Sequence, residues 1–216
     1  MNYPDWLTKS VANRSQGFLL EGFVPGAGPK DARLVILGEA PGRKEIASLV
    51  PFSGAAGVEL DKNLTLAGLE REQIYITSAV RSRPYRIQQG INRKTGVAET
   101  KYPNRTPTKK EVLAHAPITD YELQTIQPEI IIPLGNIGLH RLLGPKHSIT
   151  QDHGQIITSP VLELNADQDG YQWGNHIYTL VPMFHPAAIF YNRKLAPLIE
   201  QDWQKLGQFL NSKRDN

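Results

Sequence analysis

Cysteine is missing from all 216 residues. Its absence removes disulfides, thiolate zinc sites, cysteine nucleophiles and any iron–sulfur cluster held by cysteine. No apolar run reaches the roughly 18 residues of a transmembrane helix. The opening Met1-Asn2-Tyr3-Pro4-Asp5-Trp6 lacks the basic-then-apolar pattern of a secretory signal, so a cytoplasmic location and no membrane partner are expected. A G-x-x-x-x-G-K-[ST] phosphate loop is also missing, which argues against a P-loop nucleotide hydrolase. His140 and His147 have no cysteine or acid in ligand spacing, so no metal is implied.

What is present is ordinary globular composition, with 40% hydrophobic and 21% charged residues. At this length one domain, spanning 1–216, is expected, and it can bury about 70% of the unfolded chain's surface. The net charge of +3 is unevenly spread. From Arg81 to Lys110 nine basic residues (Arg81, Arg83, Arg86, Arg93, Lys94, Lys101, Arg105, Lys109 and Lys110) face one acid, Glu99. Elsewhere 15 basic residues stand against 20 acidic ones. Such asymmetry points to a polyanionic partner, with a solvated surface loop as the alternative.

Hydrophobic patterning predicts alternating strands and helices. Helices are expected over 3–13, 54–68, from about Lys109, over 136–143 and over 195–211. Thr108 and Glu111 make a capping box for the third, and Pro117 is expected to kink or split it. Apolar runs at 33–38, 73–80, 129–135 and 176–182 read as four core strands. Residues 85–106 form a long basic loop or small hairpin, and 151–180 a hairpin or two. Near-continuous apolar strands suggest a parallel sheet covered on both faces. Ligands of such sheets sit beyond the strands' carboxyl ends. Chemistry is therefore sought at Glu39 to Gly42, Ser78 to Pro84, Gly135-Asn136 and His185-Pro186.

Taken in order, the segments Gly38-Glu39-Ala40-Pro41-Gly42, Glu45, Pro51-Phe52-Ser53-Gly54-Ala55-Ala56-Gly57, Arg81-Ser82-Arg83-Pro84, Arg105-Thr106-Pro107-Thr108, Leu134-Gly135 and His185-Pro186-Ala187-Ala188 resemble the uracil-DNA glycosylase superfamily. The nearest relatives are of the family 4, iron–sulfur type, and the resemblance runs from about Leu34 to Trp203. It implies a three-layer α/β/α domain with a central four-stranded, mostly parallel sheet. The implied reaction is hydrolysis of the bond between a damaged base and deoxyribose, in a monomer acting on DNA without a cofactor.

Carried over by residue, Gly38, Glu39 and Ala40 line the base pocket and Phe52 stacks on the flipped base. Ser78 stands at the base-reading position, and His185 hydrogen-bonds the base carbonyl. Glu45 is the first choice and Glu39 the second for the carboxylate that holds water or stabilises the sugar cation. Pro186 to Asn192 matches the loop that wedges into the duplex. The expected DNA contacts are Arg81, Arg83, Arg86, Arg93, Lys94, Arg105, Pro186, Ala187, Asn192 and Arg193. An extruded base costs a few kcal/mol, and stacking on an apolar ring returns about 1–3 kcal/mol per base. A donor aimed at the carbonyl where charge develops acts as an oxyanion hole does.

Two departures stand out. Family 4 enzymes hold a four-iron cluster with four cysteines; here Ser82 and His115 stand at two of those positions, the N-terminal pair is missing, and no cluster is expected. His115 is then expected to be an ordinary helix residue. Ser78 replaces an asparagine whose amide both accepts and donates, so weaker uracil selectivity or a preference for hypoxanthine or xanthine is implied. A catalytically silent DNA- or nucleobase-binding protein on the same fold remains open, as does an enzyme of free nucleotides. Asp152-His153, in a turn-rich segment, is expected to be structural.

Overall fold

The computed structural model describes residues 1–92 and 95–213. The chain opens with helix α1 (Asp5–Arg14) and short strand β1 (Leu20–Glu21), followed by strand β2 (Leu34–Gly38), helices α2 (Arg43–Ser48) and α3 (Ala55–Leu66), and strand β3 (Tyr75–Ser78). Strand β4 (Arg83–Pro84) pairs back on β1, and a hairpin of β5 (Gln88–Ile91) and β6 (Ala98–Lys101) occupies the basic segment. Helix α4 (Lys109–Ile126) leads to strand β7 (Ile130–Pro133), helix α5 (Gly135–Leu143) and the single turn α6 (Ile149–Asp152). A long hairpin, β8 (Ile157–Leu164) and β9 (Tyr171–Leu180), precedes the single turn α7 (Ala188–Tyr191) and helix α8 (Ala196–Ser212).

The central sheet has the order β3-β2-β7-β9-β8. Its first four strands are mutually parallel. The expected count of four is corrected to five, because β8 folds back antiparallel along β9 and joins the same sheet. A hairpin return keeps its register with the strand it leaves, and β8 covers what would otherwise be an open edge of β9. Pro160 sits on this outer strand beside a register shift, where a missing N–H is tolerated. Every residue of β2, β3 and β7 is buried, so helices cover the sheet on both faces. Helix α3 packs with α8, and α1 with α4.

Pro117 does not interrupt α4. A helical proline leaves the carbonyl four residues earlier without its donor. Here that carbonyl belongs to Leu113, and the Arg14 guanidinium at the end of α1 donates to it at 3.1 Å. Leu7 and Val11 of α1 pack on Ile118, so apolar burial brings the arginine to the gap. The capping box at Thr108 and Glu111 forms as the sequence indicates.

Strand β2 has β3 on one side and β7 on the other. The chain therefore leaves β2 for one neighbour and later returns to the opposite one, which opens a crevice beyond the strands' carboxyl ends.

Candidate active site

Two adjoining lobes of about 420 and 510 Å³ lie in that crevice, sharing Ala40, Pro41, Gly42, Asn104, His185 and Ala187. The smaller lobe adds Phe52, Ser78, Glu45 and Phe190; the larger adds Glu39, Arg105 and Tyr191. Residues from the ends of β2, β3 and β9 thus converge, although up to 147 positions separate Gly38 from His185. Gly38 and Ser78 are register partners at the ends of β2 and β3. Amides of Ala79 and Val80 then donate to the carbonyls of Gly38 and Glu39, which fixes the first turn.

Phe52 is 9% exposed, and its ring lies over the Cα of Gly38. A Cβ at Gly38 would stand 2.7 Å from that ring, so only glycine admits it. The Phe52 and His185 rings lie 5.7 Å apart between centroids, tilted by 32°.

His185 is placed by the ladder between β7 and the end of β9. The amide of Met183 donates to Pro133, and that of Gly135 to Met183, at 3.0 and 2.9 Å. Gly135 has φ +75°, and a Cβ there would lie 3.1 Å from the Cβ of His185, so glycine answers both the conformation and the approach. Burial lowers the His185 pKa to about 4, so the ring is neutral at pH 7. Nδ1 accepts from the Ala187 amide at 3.2 Å. The proton is accordingly assigned to Nε2, which becomes the donor.

The two candidate carboxylates differ. Glu45 was expected to be available for water, but one of its oxygens accepts from the Gly42 amide at 3.0 Å and the other from the Gly54 amide at 2.8 Å. It staples the two loops that frame the smaller lobe. Glu39 is partly buried in the larger lobe, burial raises its pKa, and a hydrogen bond from Thr106 opposes that rise.

Three expected phosphate contacts are corrected by their surroundings. Arg81 is 1% exposed and ion-paired with Glu122, which also accepts from Tyr3, Tyr75 and Thr77. Burial alone would lower the arginine's pKa, but the Glu122 charge raises it and the balance is upward. Arg83, 2% exposed, pairs with Glu21 and donates to Asn104 and the Tyr102 carbonyl. Arg105 makes a two-pronged pair with Glu111 at 2.6 and 2.7 Å and also donates to the carbonyls of Tyr85 and Thr106. Buried guanidinium groups need partners of opposite charge, and Arg81 and Arg83 find them inside the protein, as does the half-buried Arg105. Pro186 is buried too, beneath the loop it begins, while Ala187 is half-buried at the pocket. Arg86, Asn192 and Arg193 are exposed; Asn192 Oδ1 caps the turn at Lys194. Arg93 and Lys94 lie outside the described residues.

Several pocket residues escaped sequence reasoning. Arg43 and Lys44 are exposed at the lip, directly after Gly42. Asn104 reaches both lobes, one position before Arg105. Phe190 and Tyr191, 52% and 89% exposed, are the aromatic residues of the expected wedge loop. Bulky aromatic side chains so exposed beside a pocket are the signal that composition alone concealed.

His115 lies within helix α4, where it is fully buried. Its Nδ1 accepts the Arg81 amide at 3.1 Å, and Nε2 lies 3.4 Å from Ser15 Oγ. Burial, and then the Arg81 charge, lowers its pKa to about 3. With both nitrogens engaged and a serine at position 82, these residues do not fit an iron–sulfur cluster. The other histidines are engaged locally: His147 with Asp152 at 3.0 Å, and His153 with Asp202 at 2.6 Å. Among the described residues no group of three His, Asp or Glu side chains could hold a metal, and no helix is long and apolar enough to cross a membrane.

The crevice at this topological switch is lined by Ser78, the Phe52 phenyl and the neutral His185 imidazole, while Gly38, expected to line it, lies beneath the Phe52 ring and reaches neither lobe. The model of the Uracil DNA glycosylase superfamily matches residues 25–207, and the chain belongs to that superfamily. Within it, the chain is 30% identical over 193 residues to the type-4 uracil-DNA glycosylase of Saccharolobus solfataricus, covering 88% of this chain and 77% of that protein. The type-4 enzyme of Archaeoglobus fulgidus is likewise 30% identical, over 89% of this chain and 84% of its own length. That of Thermotoga maritima is 30% identical over 87% and 82%.

Proposed function

We propose that this chain is a DNA repair glycosylase that hydrolyses the N-glycosidic bond of a flipped, deaminated base, with uracil the leading substrate. The observation that carries the reading is the His185 imidazole: neutral, with Nδ1 occupied by the Ala187 amide, it offers a single Nε2 donor 5.7 Å, between ring centroids, from Phe52. The base stacks on Phe52 and reaches Ser78. As the C1′–N bond breaks, its electron pair goes to the base, and His185 donates to the carbonyl where charge gathers. Such a donor contributes about 2.7–4 kcal/mol in comparable sites. Water adds to C1′, and the proton it gives up passes through Glu39 to solvent while the departing base anion is protonated in turn, so that the products are the free base and the abasic sugar. Glu39 holds that water, because both oxygens of Glu45 already serve backbone amides.

Phosphates are met by Arg43 and Lys44 on one lip and Arg193 on the other, with Arg86 further along the basic segment. Tyr191 and Phe190 fill the space the extruded base leaves. The protein works as a single domain, as a monomer and in the cytoplasm, with 85–106 as a basic insert.

Single-turnover excision from oligonucleotides carrying uracil, hypoxanthine or xanthine tests the reading. Uracil excision that falls with Glu39→Gln and His185→Ala supports it. Trace excision indifferent to both substitutions leaves a silent nucleobase-binding protein. A second substrate reading follows from Ser78 on the pocket floor: Ser78→Asn raises uracil excision if the serine has relaxed selectivity, and an unchanged rate removes that reading.

A further inference from the structure

We infer that Arg71 is a positioning residue for the base-stacking ring, acting through the backbone of Phe52; this rests on the stacking role proposed above. Phe52 has φ +54°, in the left-handed region. For a bulky residue that conformation is a genuine outlier, costing on the order of 1–3 kcal/mol, and persists only where its surroundings over-determine it. The determining group is the Arg71 guanidinium, on the short turn Arg71–Gln73 just before β3. Its Nη2 donates to the carbonyls of Pro51 and Phe52, the latter at 3.2 Å. Its Nη1 is anchored to Asp61 of α3 at 2.8 Å. The guanidinium is planar and rigid, so two neighbouring carbonyls held on one nitrogen fix the peptide between them.

The far side of the same turn is closed by other means. Glu45 accepts the Gly54 amide, and a Cβ at Gly57 would overlap the Phe52 carbonyl oxygen. With the carbonyl held and the turn closed, the side chain has one direction left, over Gly38 and toward the His185 ring. Relaxing Phe52 to negative φ would pull its carbonyl from Arg71 or swing the ring off Gly38. Arg71 lines neither lobe of the pocket, so its influence on the base passes through Phe52.

The test is a double-mutant cycle of Arg71→Met and Phe52→Ala, read by single-turnover uracil excision, by affinity for undamaged DNA and by thermal melting. Arg71→Met is expected to slow excision about 10- to 100-fold, the scale of a misplacement near 1 Å, with unchanged affinity for undamaged DNA. In the Phe52→Ala background the same change should cost no more than about twofold, because the ring it positions is gone. Should Arg71→Met fail to fold, the cycle is run with Arg71→Lys, which retains the charge but not the planar fork. Excision by the arginine variant at the parent rate, or full multiplicative losses in the double variant, overturns the inference and leaves the stacking role standing. A Phe52→Ala protein as fast as the parent overturns the stacking role and this inference together.

Discussion

Two regions of the molecule bury ionisable groups, in opposite ways. Beneath α1 and α4, Arg81, Glu122, Tyr3, Tyr75 and Thr77 form one network in which a single carboxylate takes four donors. At the carboxyl ends of the strands, His185 has one nitrogen spent and one to give, and burial raises the pKa of Glu39 against a hydrogen bond from Thr106. The first pairs its charges inside the fold, although Arg81 Nε and Nη1 have no hydrogen-bond partner there; the second faces an open pocket. Local charge in a sequence does not separate the two cases, since Arg81 and Arg83 are spent within the fold while Arg43 faces outward. What separates them is whether a partner of opposite sign shares the burial.

The contrast breaks most sharply at Glu122. Glu122→Ala strands a fully buried guanidinium, and about 3–5 kcal/mol of stability should be lost in urea unfolding. A loss below about 1 kcal/mol would mean the charges are not paired inside the fold. On the ligand side, His185→Ala should slow excision about 10²- to 10³-fold, corresponding to about 2.7–4 kcal/mol, with little change in melting temperature.

Acidity sharpens the comparison because a histidine shielded from water stands in each region, His115 fully buried and His185 half-buried. The pKa of His115 is lowered to about 3 and that of His185 to about 4, both below the ordinary 6.5 of a free imidazole. Between about pH 4 and 6.5 the unfolded chain binds protons that the native protein refuses, so stability falls as pH falls. The slope is about 1.4 kcal/mol per pH unit for each histidine. His115→Gln and His185→Gln should each remove one such share, measured as unfolding free energy between pH 7 and 4.5; an unaltered slope contradicts the burial argument. The smallest effects are at the lip. Arg43→Ala and Lys44→Ala should each lower the salt slope of DNA binding by about 1, while Arg83→Lys should leave it unchanged.

Much of this arrangement was legible before the structure. The four parallel strands and the capping box follow from apolar runs and helix-start signals, whereas the convergence of Phe52, Ser78 and His185 was implied by the family resemblance. Burial of charge was not legible. Nothing in the local sequence says that Arg105 meets Glu111, or that Arg81 meets a glutamate 41 positions away. The role of Glu45 was hidden for a related reason. A carboxylate three residues into a helix reads equally well as a catalyst and as a cap, and only the Gly54 amide decides. The fifth strand was missed because a hairpin's outer strand can stand apart or join the sheet, a choice made by packing.

The proline inside α4 carries one last consequence. A helix with a vacancy in its own ladder is not a finished object until Arg14 arrives from α1. The N-terminal segment therefore works as a splint. Loss of the Arg14 donor would leave the Leu113 carbonyl without a partner in the middle of the helix that carries His115 and Glu122, so Arg14→Ala is expected to speed hydrogen exchange at the centre of α4.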